Sequence, residues 1–352
     1  MLRTLRQRVT PTDVVVWLIG ILILFVVVYG SVVTLSSHKY TLANWIDLTV
    51  RGLAIGGVYA LIALGYTLVY GILRMINFAH SEVFMSGPFT AVFLADALNR
   101  SGFLNRQPII SLLMITLLSM FVSMCIAFLV ERVAYRPLRG APRLVPLITA
   151  IGASFFLQYT FRGLYGSGIK AYPDITALAG EINIGPVSIL KTQLVVIIGA
   201  LVMMLILFGI VQLTKVGKAM RAVSEDKEVA ALMGIDVDRI IVITFGLGGA
   251  SAGAAGILYA LLFPVVNFFM GFFPGLKAFT AAVLGGIGSV PGAFVGAMVL
   301  GLIESLGPNL FLDGLNIPAP YQLKDAIAFI ILVFILIFRP TGILGERISE
   351  KA

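Results

Sequence analysis

The segment INFAHSE, residues 76–82, concentrates polar side chains inside an apolar part of the sequence. Asn77 or Ser81 could cap a helix, and Glu82 in the first turn would interact favourably with the positive end of the helix dipole. Helix starts buried in membranes also bind polar or anionic groups through free backbone N–H groups. Two interpretations stay open: a capped helix start with His80 as a packing residue, or direct contact with a solute.

Two more charged residues stand in a long uncharged stretch. Lys277 and Glu304 are the only charged side chains between residues 240 and 310. An ionised group at the centre of a bilayer costs at least ~2.5–3.5 kcal/mol, so each should face a cavity, a partner or the membrane interface. Mutual pairing, a role along a solute path, and a Lys277 that extends from a helix end to the interface are the three interpretations.

Motifs for catalysis are missing from the sequence. His38 and His80 are the only histidines, so an HExxH zinc site is impossible, and no G-x-S-x-G nucleophile elbow occurs. A hydrolase built from Ser251 and His80 would need an unmotivated coincidence of positions. There is no G-x-x-x-x-G-K-[ST] phosphate loop, so any ATP must be hydrolysed by another chain. We expect neither an enzyme nor a resident metal or cofactor.

Membrane helices are the elements that must position these residues. The chain is 59% hydrophobic, whereas soluble domains are only ~45–50% apolar. Uncharged runs at 14–34, 109–130 and 192–213 each reach the ~20 residues of a spanning helix. We predict an all-α integral membrane protein: a polytopic bundle of about eight to ten transmembrane segments, some of them broken or re-entrant. The predicted spans are roughly 14–34, 51–72, 82–98, 109–130, 144–162, 190–213, 240–263, a pair within 268–310, and 320–338.

The charge distribution predicts an orientation. Most lysine and arginine residues fall outside the predicted spans, in segments that alternate along the chain. The positive-inside rule then places both termini in the cytoplasm. The basic residues lie among apolar spans without interleaved stacking aromatics, so the net charge of +8 does not indicate nucleic acid as a partner.

Glycine-rich stretches predict close packing and an interruption. Two interpretations fit residues 281–297, AAVLGGIGSVPGAFVGA, equally well. One is a pore-lining or re-entrant hairpin, and the other is a tight turn between two spans. Small residues four positions apart also recur, and this spacing lets helices approach closely in a bilayer. The pairs are Gly52 with Gly56, Gly249 with Gly253, and Gly292 with Gly296.

Residues 215–239 contrast with the rest of the chain because ten of these 25 residues are charged. We predict a short amphipathic helix here, with Ser224 as N-cap, Glu225 and Asp226 in the first turn, and Gly234 at the C-terminus.

Val229, Leu232 and Met233 would share one face of that helix, opposite the charges. A membrane-surface helix is disfavoured because the nearby acidic residues would repel an anionic leaflet. A solvated loop helix and a docking element for a partner stay equally open.

Six sequence blocks, in order, resemble the branched-chain amino acid permease family of ABC transporters, of the high-affinity leucine, isoleucine and valine type. They lie between about Trp45 and Glu346. The blocks are GGVYALIALGYTLVYGILRMINFAHSEVFM (56–85), ERVAYRPLR (131–139), AIGASFFLQ (150–158), GKAMRAVSEDKEVAALMGI (217–235), KAFTAAVLGGIGSVPGA (277–293) and RPTGILG (339–345).

The resemblance implies a permease subunit of the bacterial inner membrane that imports branched-chain or other neutral amino acids. It implies a second permease subunit, two cytoplasmic ATPase subunits that use the ATP, and a periplasmic or lipid-anchored substrate-binding protein. Residues 1–44 would be an N-terminal extension with one helix, and residues 45–352 the permease domain with a coupling segment at 215–239. A urea or short-amide permease is one alternative, and an ATP-independent channel or ion-coupled transporter is another.

The same resemblance assigns coupling to the ATPase to one set of residues: Ser224, Glu225, Asp226, Ala230 and Gly234. The polar and charged residues inside the membrane segments are expected near the translocation path. They are Asn77, His80, Glu82, Lys277 and Glu304.

Overall fold

The computed structural model describes residues 11–142, 144–185, 187–339 and 341–345. Thirteen α-helices occur in these ranges. They are α1 (Pro11–Ser36), α2 (Leu42–Leu73), α3 (His80–Arg100), α4 (Phe103–Arg106), α5 (Pro108–Val130), α6 (Leu144–Tyr165), α7 (Lys191–Leu213), α8 (Lys215–Glu225), α9 (Lys227–Leu232), α10 (Val237–Leu262), α11 (Phe272–Gly285), α12 (Val290–Gly307) and α13 (Lys324–Phe338).

The described ranges also contain short 3₁₀ and π-helical segments, among them the π-helix Glu131–Tyr135 that continues α5, and four short strands. The strands are β1 (Lys170–Ala171), β2 (Glu181–Ile184), β3 (Val187–Leu190) and β4 (Val265–Val266). β1 pairs with β4, and β2 with β3, both antiparallel. The strands lie in connections between helices, so the predicted all-α bundle is confirmed.

Eight helical segments within the described ranges are long and apolar enough to cross a bilayer. Two more helices run through the bundle without meeting that description. α3 is interrupted by polar residues at its start, and α11 has only 14 residues, about 21 Å at 1.5 Å per residue. The prediction of about eight to ten membrane segments, some of them broken, is therefore confirmed.

Chain connections gather at two ends of the bundle. At the end we call the charged end, Arg74 contacts Ser224, and the turn 286–289 packs beside residues 341–345. At the opposite end, Lys39 pairs with Asp313, and the strand pair β1–β4 joins two loops. The predicted cytoplasmic position of the termini rests on residues 1–10 and 346–352, which lie outside the described residues, and stays a prediction.

The centre of the bundle consists of α2 and α10, whose small residues admit close helix contacts. A Cβ placed on Gly301 of α12 would lie 2.5 Å from the Gly52 carbonyl oxygen and from Gly56 Cα. A Cβ on Gly253 of α10 would lie 2.5 Å from the carbonyl oxygen of Ser119 on α5. The predicted packing of these glycine faces is confirmed, and it buries α2 along most of its length.

Residues 281–297 form a helix, a turn and a second helix. α11 ends at Gly285, and the turn uses Gly286 and Gly288 in left-handed conformations, with φ of 108° and 100°. The chain near the C-terminus closes this helix end, because the backbone N–H groups of Ile343 and Leu344 donate to the last α11 carbonyls at 2.8 and 2.9 Å. The tight turn therefore lies at the charged end, and the missing length of α11 is at its other end.

α1 lies at the rim of the bundle. Trp17 packs edge-on against Phe338 of α13 with ring centroids 5.7 Å apart. Gly30 sits against the carbonyl oxygen of Phe311, and only a residue without a side chain fits there. The helix is otherwise largely exposed on the bundle surface.

We predict that Gly253→Leu destabilises the folded protein, because the new side chain overlaps the α5 backbone. Overpacking of this kind costs ~1–3 kcal/mol or more. Gly209→Leu on α7 is the matched control, since nothing lies within 4 Å of a Cβ there. Thermal unfolding of the purified variants in detergent should show a lower Tm for Gly253→Leu alone. Equal Tm values would contradict the close α5–α10 contact.

Candidate functional site

The helix pair α2 and α3 is interrupted inside the bundle. Residues 74–79 are not helical, and they turn back so that α3 begins beside α2 rather than beyond its end. The His80 ring lies where a Cβ on Gly65 would be, eight residues before the end of α2 at Leu73. At 1.5 Å per residue, α3 therefore starts about 12 Å from the end of α2, measured back along α2 into the bundle. Irregular backbone at this depth is tolerated only where protein surrounds it or where it lines a water-filled cavity.

The predicted side-chain caps of α3 are wrong. Its N-cap position is Ala79, which makes no side-chain cap hydrogen bond. Asn77 instead accepts a hydrogen bond at Oδ1 from the Tyr135 hydroxyl at 3.1 Å, and Ser81 donates to the Phe78 carbonyl at 2.9 Å. The reason is the backbone: Ala79 is already in the helical region, whereas a capping residue needs an extended conformation.

His80 and Glu82 are buried at this helix start with polar atoms left over. Glu82 Oε1 accepts a hydrogen bond from Ser154 of α6 at 3.3 Å, while Oε2 has no partner among the described residues. The His80 ring packs edge-on against Tyr66 at 4.8 Å, and its Nε2 likewise has no described partner. His80 is thus a packing residue, as one interpretation had it, but not a satisfied one. A buried polar atom without a partner is costly, so this point is a candidate binding site.

Buried Lys277 of α11 and buried Glu304 of α12 form a second cluster with the partly exposed Asp325 of α13. Lys277 Nζ lies 2.7 Å from Glu304 Oε1 and 2.5 Å from Asp325 Oδ1. The Tyr59 hydroxyl of α2 donates to Glu304 Oε2 at 2.9 Å. Lys277 is only 5% exposed, so mutual pairing is confirmed and the interpretation of a lysine reaching the interface is wrong.

The five predicted path residues do not meet at one point. Within the described residues, Asn77, His80 and Glu82 belong to the first cluster, and Lys277 and Glu304 to the second. α11 lies between the two clusters, because its Gly271 and Gly275 pack on Ser81 while Lys277 points to α12.

Sequence reasoning missed three residues of these clusters: Tyr59, Ser154 and Asp325. Each comes from a distant helix whose contact is not encoded locally. Asp325 carries the one available signal, an acid beside Lys324 in the first turn of a helix that is apolar from Ala326 onward.

The charged segment 215–239 folds as two helices instead of the one predicted. Asp226 separates them with an extended backbone, and its Oδ1 accepts hydrogen bonds from the N–H groups of Glu228 and Val229 at 2.8 and 3.0 Å. Asp226 is therefore the N-cap of α9.

The predicted cap at Ser224 is wrong, as is the place of Glu225 and Asp226 in the first turn. Ser224 lies in the last turn of α8 and donates to the Arg221 carbonyl at 2.7 Å, and Glu225 ends that helix. Gly234 closes α9 as predicted, with φ of 83°. Asp226, and not Ser224, is the N-cap because the backbone of Asp226 is extended, which directs its side chain towards the free N–H groups of the first turn.

α9 attaches to the bundle through one small residue and presents its apolar face outward. Ala230 is buried in the core. Val229, Leu232 and Met233 are 54, 87 and 78% exposed. Beside them, burial and the nearby guanidinium groups of Arg139 and Arg74 lower the pKa of Lys227.

Comparison with known proteins identifies relatives over most of the chain. Residues 48–336 match the family described as branched-chain amino acid transport system, permease component. The high-affinity branched-chain amino acid permease protein BraD of Pseudomonas aeruginosa is 42% identical over 88% of this chain and 98% of its own length. LivH of Escherichia coli, named for the same kind of system, is 40% identical over 86% of this chain and 96% of its own length. The autoinducer 2 import system permease protein LsrC of Photorhabdus laumondii is 29% identical over 91% of this chain and 87% of its own length. No solved structure matches the chain.

We predict that Lys277→Met lowers stability strongly, by ~3–5 kcal/mol, because it leaves the buried Glu304 carboxylate without its nearest cation. Glu304→Gln keeps the shape of the site and removes one charge. The double variant should lose less stability than the two single losses added together, since each partner is costly mainly when the other remains. Thermal unfolding in detergent measures all three.

Lys39→Met is the control, because the Lys39 and Asp313 side chains are 58% and 16% exposed and such surface pairs contribute little. Strictly additive losses at Lys277 and Glu304 would argue against the pair.

Proposed function

Because the chain belongs to the family of permease components of branched-chain amino acid transport systems, we propose that it forms part of the membrane passage of an ATP-driven importer for branched-chain or other neutral amino acids. It is not an enzyme: permeases of this family work with separate ATPase subunits and a substrate-binding protein. We propose the bacterial inner membrane as its location, with the charged end and both termini in the cytoplasm.

We propose a specific assembly around this subunit. A second permease subunit completes the passage, two ATPase subunits bind the charged end, and a periplasmic or lipid-anchored binding protein delivers substrate to the opposite end. The division into an extension at 1–44 and a permease domain at 45–352 accords with a family match that begins at residue 48. The first helix contacts only the rim of the bundle, which also supports this division.

The exposed apolar face of α9 carries the coupling proposal. A solvated loop has no reason to present three large apolar side chains to water while burying only Ala230. A helix laid into a groove of a partner requires such a face. We assign the ATPase contact to the segment of Ser224, Glu225, Asp226, Ala230 and Gly234, with Ala230 and Gly234 fixing how the face is presented.

The translocation path is proposed along α11. Buried charged or unpartnered polar groups lie on either side of this helix, Glu82 and His80 on one side and Lys277 with Glu304 on the other. Membrane interiors keep such groups where a polar solute or ion passes. Asn77 belongs to the path because it lies in the interruption that leads into the first cluster.

Uptake by the whole system tests the substrate. Membrane vesicles or liposomes with the complete complex should accumulate labelled leucine only when ATP and the binding protein are present. Accumulation of urea or a short amide in place of leucine would select the alternative permease class. Movement of solute by this chain alone, without ATP, would establish a channel or ion-coupled transporter and overturn the importer assignment.

We predict that Leu232→Glu abolishes co-purification of the ATPase subunits and substrate-stimulated ATP hydrolysis while the protein stays folded. Leu232 is 87% exposed, so a carboxylate there costs the fold nothing but would be desolvated in an apolar groove. Ile182→Glu, an exposed apolar side chain in the β2–β3 hairpin at the opposite end, is the matched control for co-purification and should keep the ATPase subunits bound. Full substrate stimulation of ATP hydrolysis in Leu232→Glu would contradict the coupling role and indicate that residues 215–239 are a solvated loop.

A further inference from the structure

The interruption between α2 and α3 is tied to the charged end by two separate sets of contacts. Arg74 makes the first contact directly. It follows the last residue of α2, and its Nη2 donates at 3.2 Å to the carbonyl oxygen of Ser224, in the last turn of α8. A cation at a helix C-terminus is favourable because the last carbonyls of the helix have no partner within it. The end of α8 is thereby fixed to the start of the interruption.

Tyr135 makes the second contact, from the turn that follows α5. Its hydroxyl lies 3.2 Å from the Ile76 carbonyl oxygen and 3.1 Å from Asn77 Oδ1, and these two acceptors share its single hydrogen. Its ring is fully buried and packs on Phe245 of α10 with centroids 5.5 Å apart. The middle of the interruption is thereby held by a rigid side chain.

The Tyr135 turn is itself joined to the charged segment. Arg136 Nη2 donates to Asp238 Oδ2 at 3.0 Å, and Arg139 pairs with both Asp238 and Glu131. Asp238 lies in the first turn of α10, at the C-terminal end of the charged segment. The two ends of the charged segment, α8 and the start of α10, therefore both connect to residues 74–79.

The backbone of the interruption suits a hinge. Residues 74–79 have no helical hydrogen-bond ladder to break, and hinge motions are absorbed by a few such residues at element ends. Arg74 holds a left-handed φ of 56°, a conformation that costs a residue with a side chain energy and that glycine adopts freely. Residue 74 is therefore an arginine although its backbone conformation favours glycine.

We propose that Arg74 and Tyr135 are positioning residues that transmit displacement of the charged segment to the start of α3, and so to Glu82 and His80. This inference rests on the proposed function, in which ATPase subunits move the charged segment. Arg74 transmits the displacement to the beginning of residues 74–79, and Tyr135 transmits it to the middle. Neither side chain contacts the candidate solute-binding atoms of Glu82 or His80.

The test compares Arg74→Gly, Tyr135→Phe and the double variant in the complete complex with ATPase subunits and binding protein. Glycine relieves the left-handed backbone, so Arg74→Gly should fold at least as well as the parent, and Tyr135→Phe keeps the buried ring. Basal ATP hydrolysis should persist, while the increment caused by leucine-loaded binding protein falls about tenfold in each variant, within the range usual for coupling between sites. Arg100→Gly, which removes a guanidinium from a helix end at the opposite end, is the control for assembly of the complex and should keep the basal rate of ATP hydrolysis.

A distance measurement separates transmission from a merely structural role. In a Cys125→Ser background, spin labels at Asn99 on α3 and Ser188 in β3 report whether α3 moves when nucleotide is added. We expect a nucleotide-dependent shift in the parent and none in Arg74→Gly or Tyr135→Phe. An unchanged shift together with an unchanged increment would overturn the linkage. Absence of any leucine-dependent increment in the parent complex would instead refute the proposed function.

Discussion

The structure depends on one constraint: no backbone polar group can be left without a partner where water is excluded. Unbroken helices meet this constraint with their own hydrogen bonds, both at the bundle surface, as α7 does, and in the centre, as α2 and α10 do. The interrupted helices satisfy this constraint because neighbouring parts of the protein surround them and supply hydrogen-bond partners. The last carbonyls of α11 receive the N–H groups of Ile343 and Leu344, and the interruption at residues 74–79 receives the Tyr135 hydroxyl. Close glycine contacts bring the protecting helices near enough, so the packing of α2 and α10 is what makes the interruptions possible.

The same exclusion of water governs the charged cluster. Lys277 has two carboxylate partners on two other helices, and Glu304 has both Lys277 and the Tyr59 hydroxyl. Such a cluster is poor evidence for stability by itself, because desolvation offsets the attraction between charges. Its net effect is to fix the positions of α11, α12 and α13 relative to α2. Any rearrangement of these helices must exchange charged partners rather than release them.

Local patterns and long-range contacts differ in how far the sequence predicts them. The spans, the glycine faces and the closure of α9 at Gly234 follow from short repeats of residue type, and all agree with the structure. The N-cap of α9 was misassigned because Ser224 and Asp226 are both good capping residues two positions apart. Asp325 escaped notice because its partner Lys277 lies 48 residues earlier in the chain. The residue type limits which interactions a position can make, but the tertiary fold decides which residue it contacts.

Packing along α11 connects the two candidate clusters. Gly271 and Gly275 leave no space between this helix and Ser81 at the start of α3, because a Cβ on either glycine would overlap Ser81. Phe279, one turn further on, packs against both Tyr66 and Phe78. Closely packed interfaces shift between discrete arrangements and do not deform continuously. A displacement of the start of α3 must therefore carry α11 with it or open a gap beside Ser81, and in the first case Lys277 moves relative to its carboxylates. The interruption and the ion pairs are consequently parts of one mechanical unit.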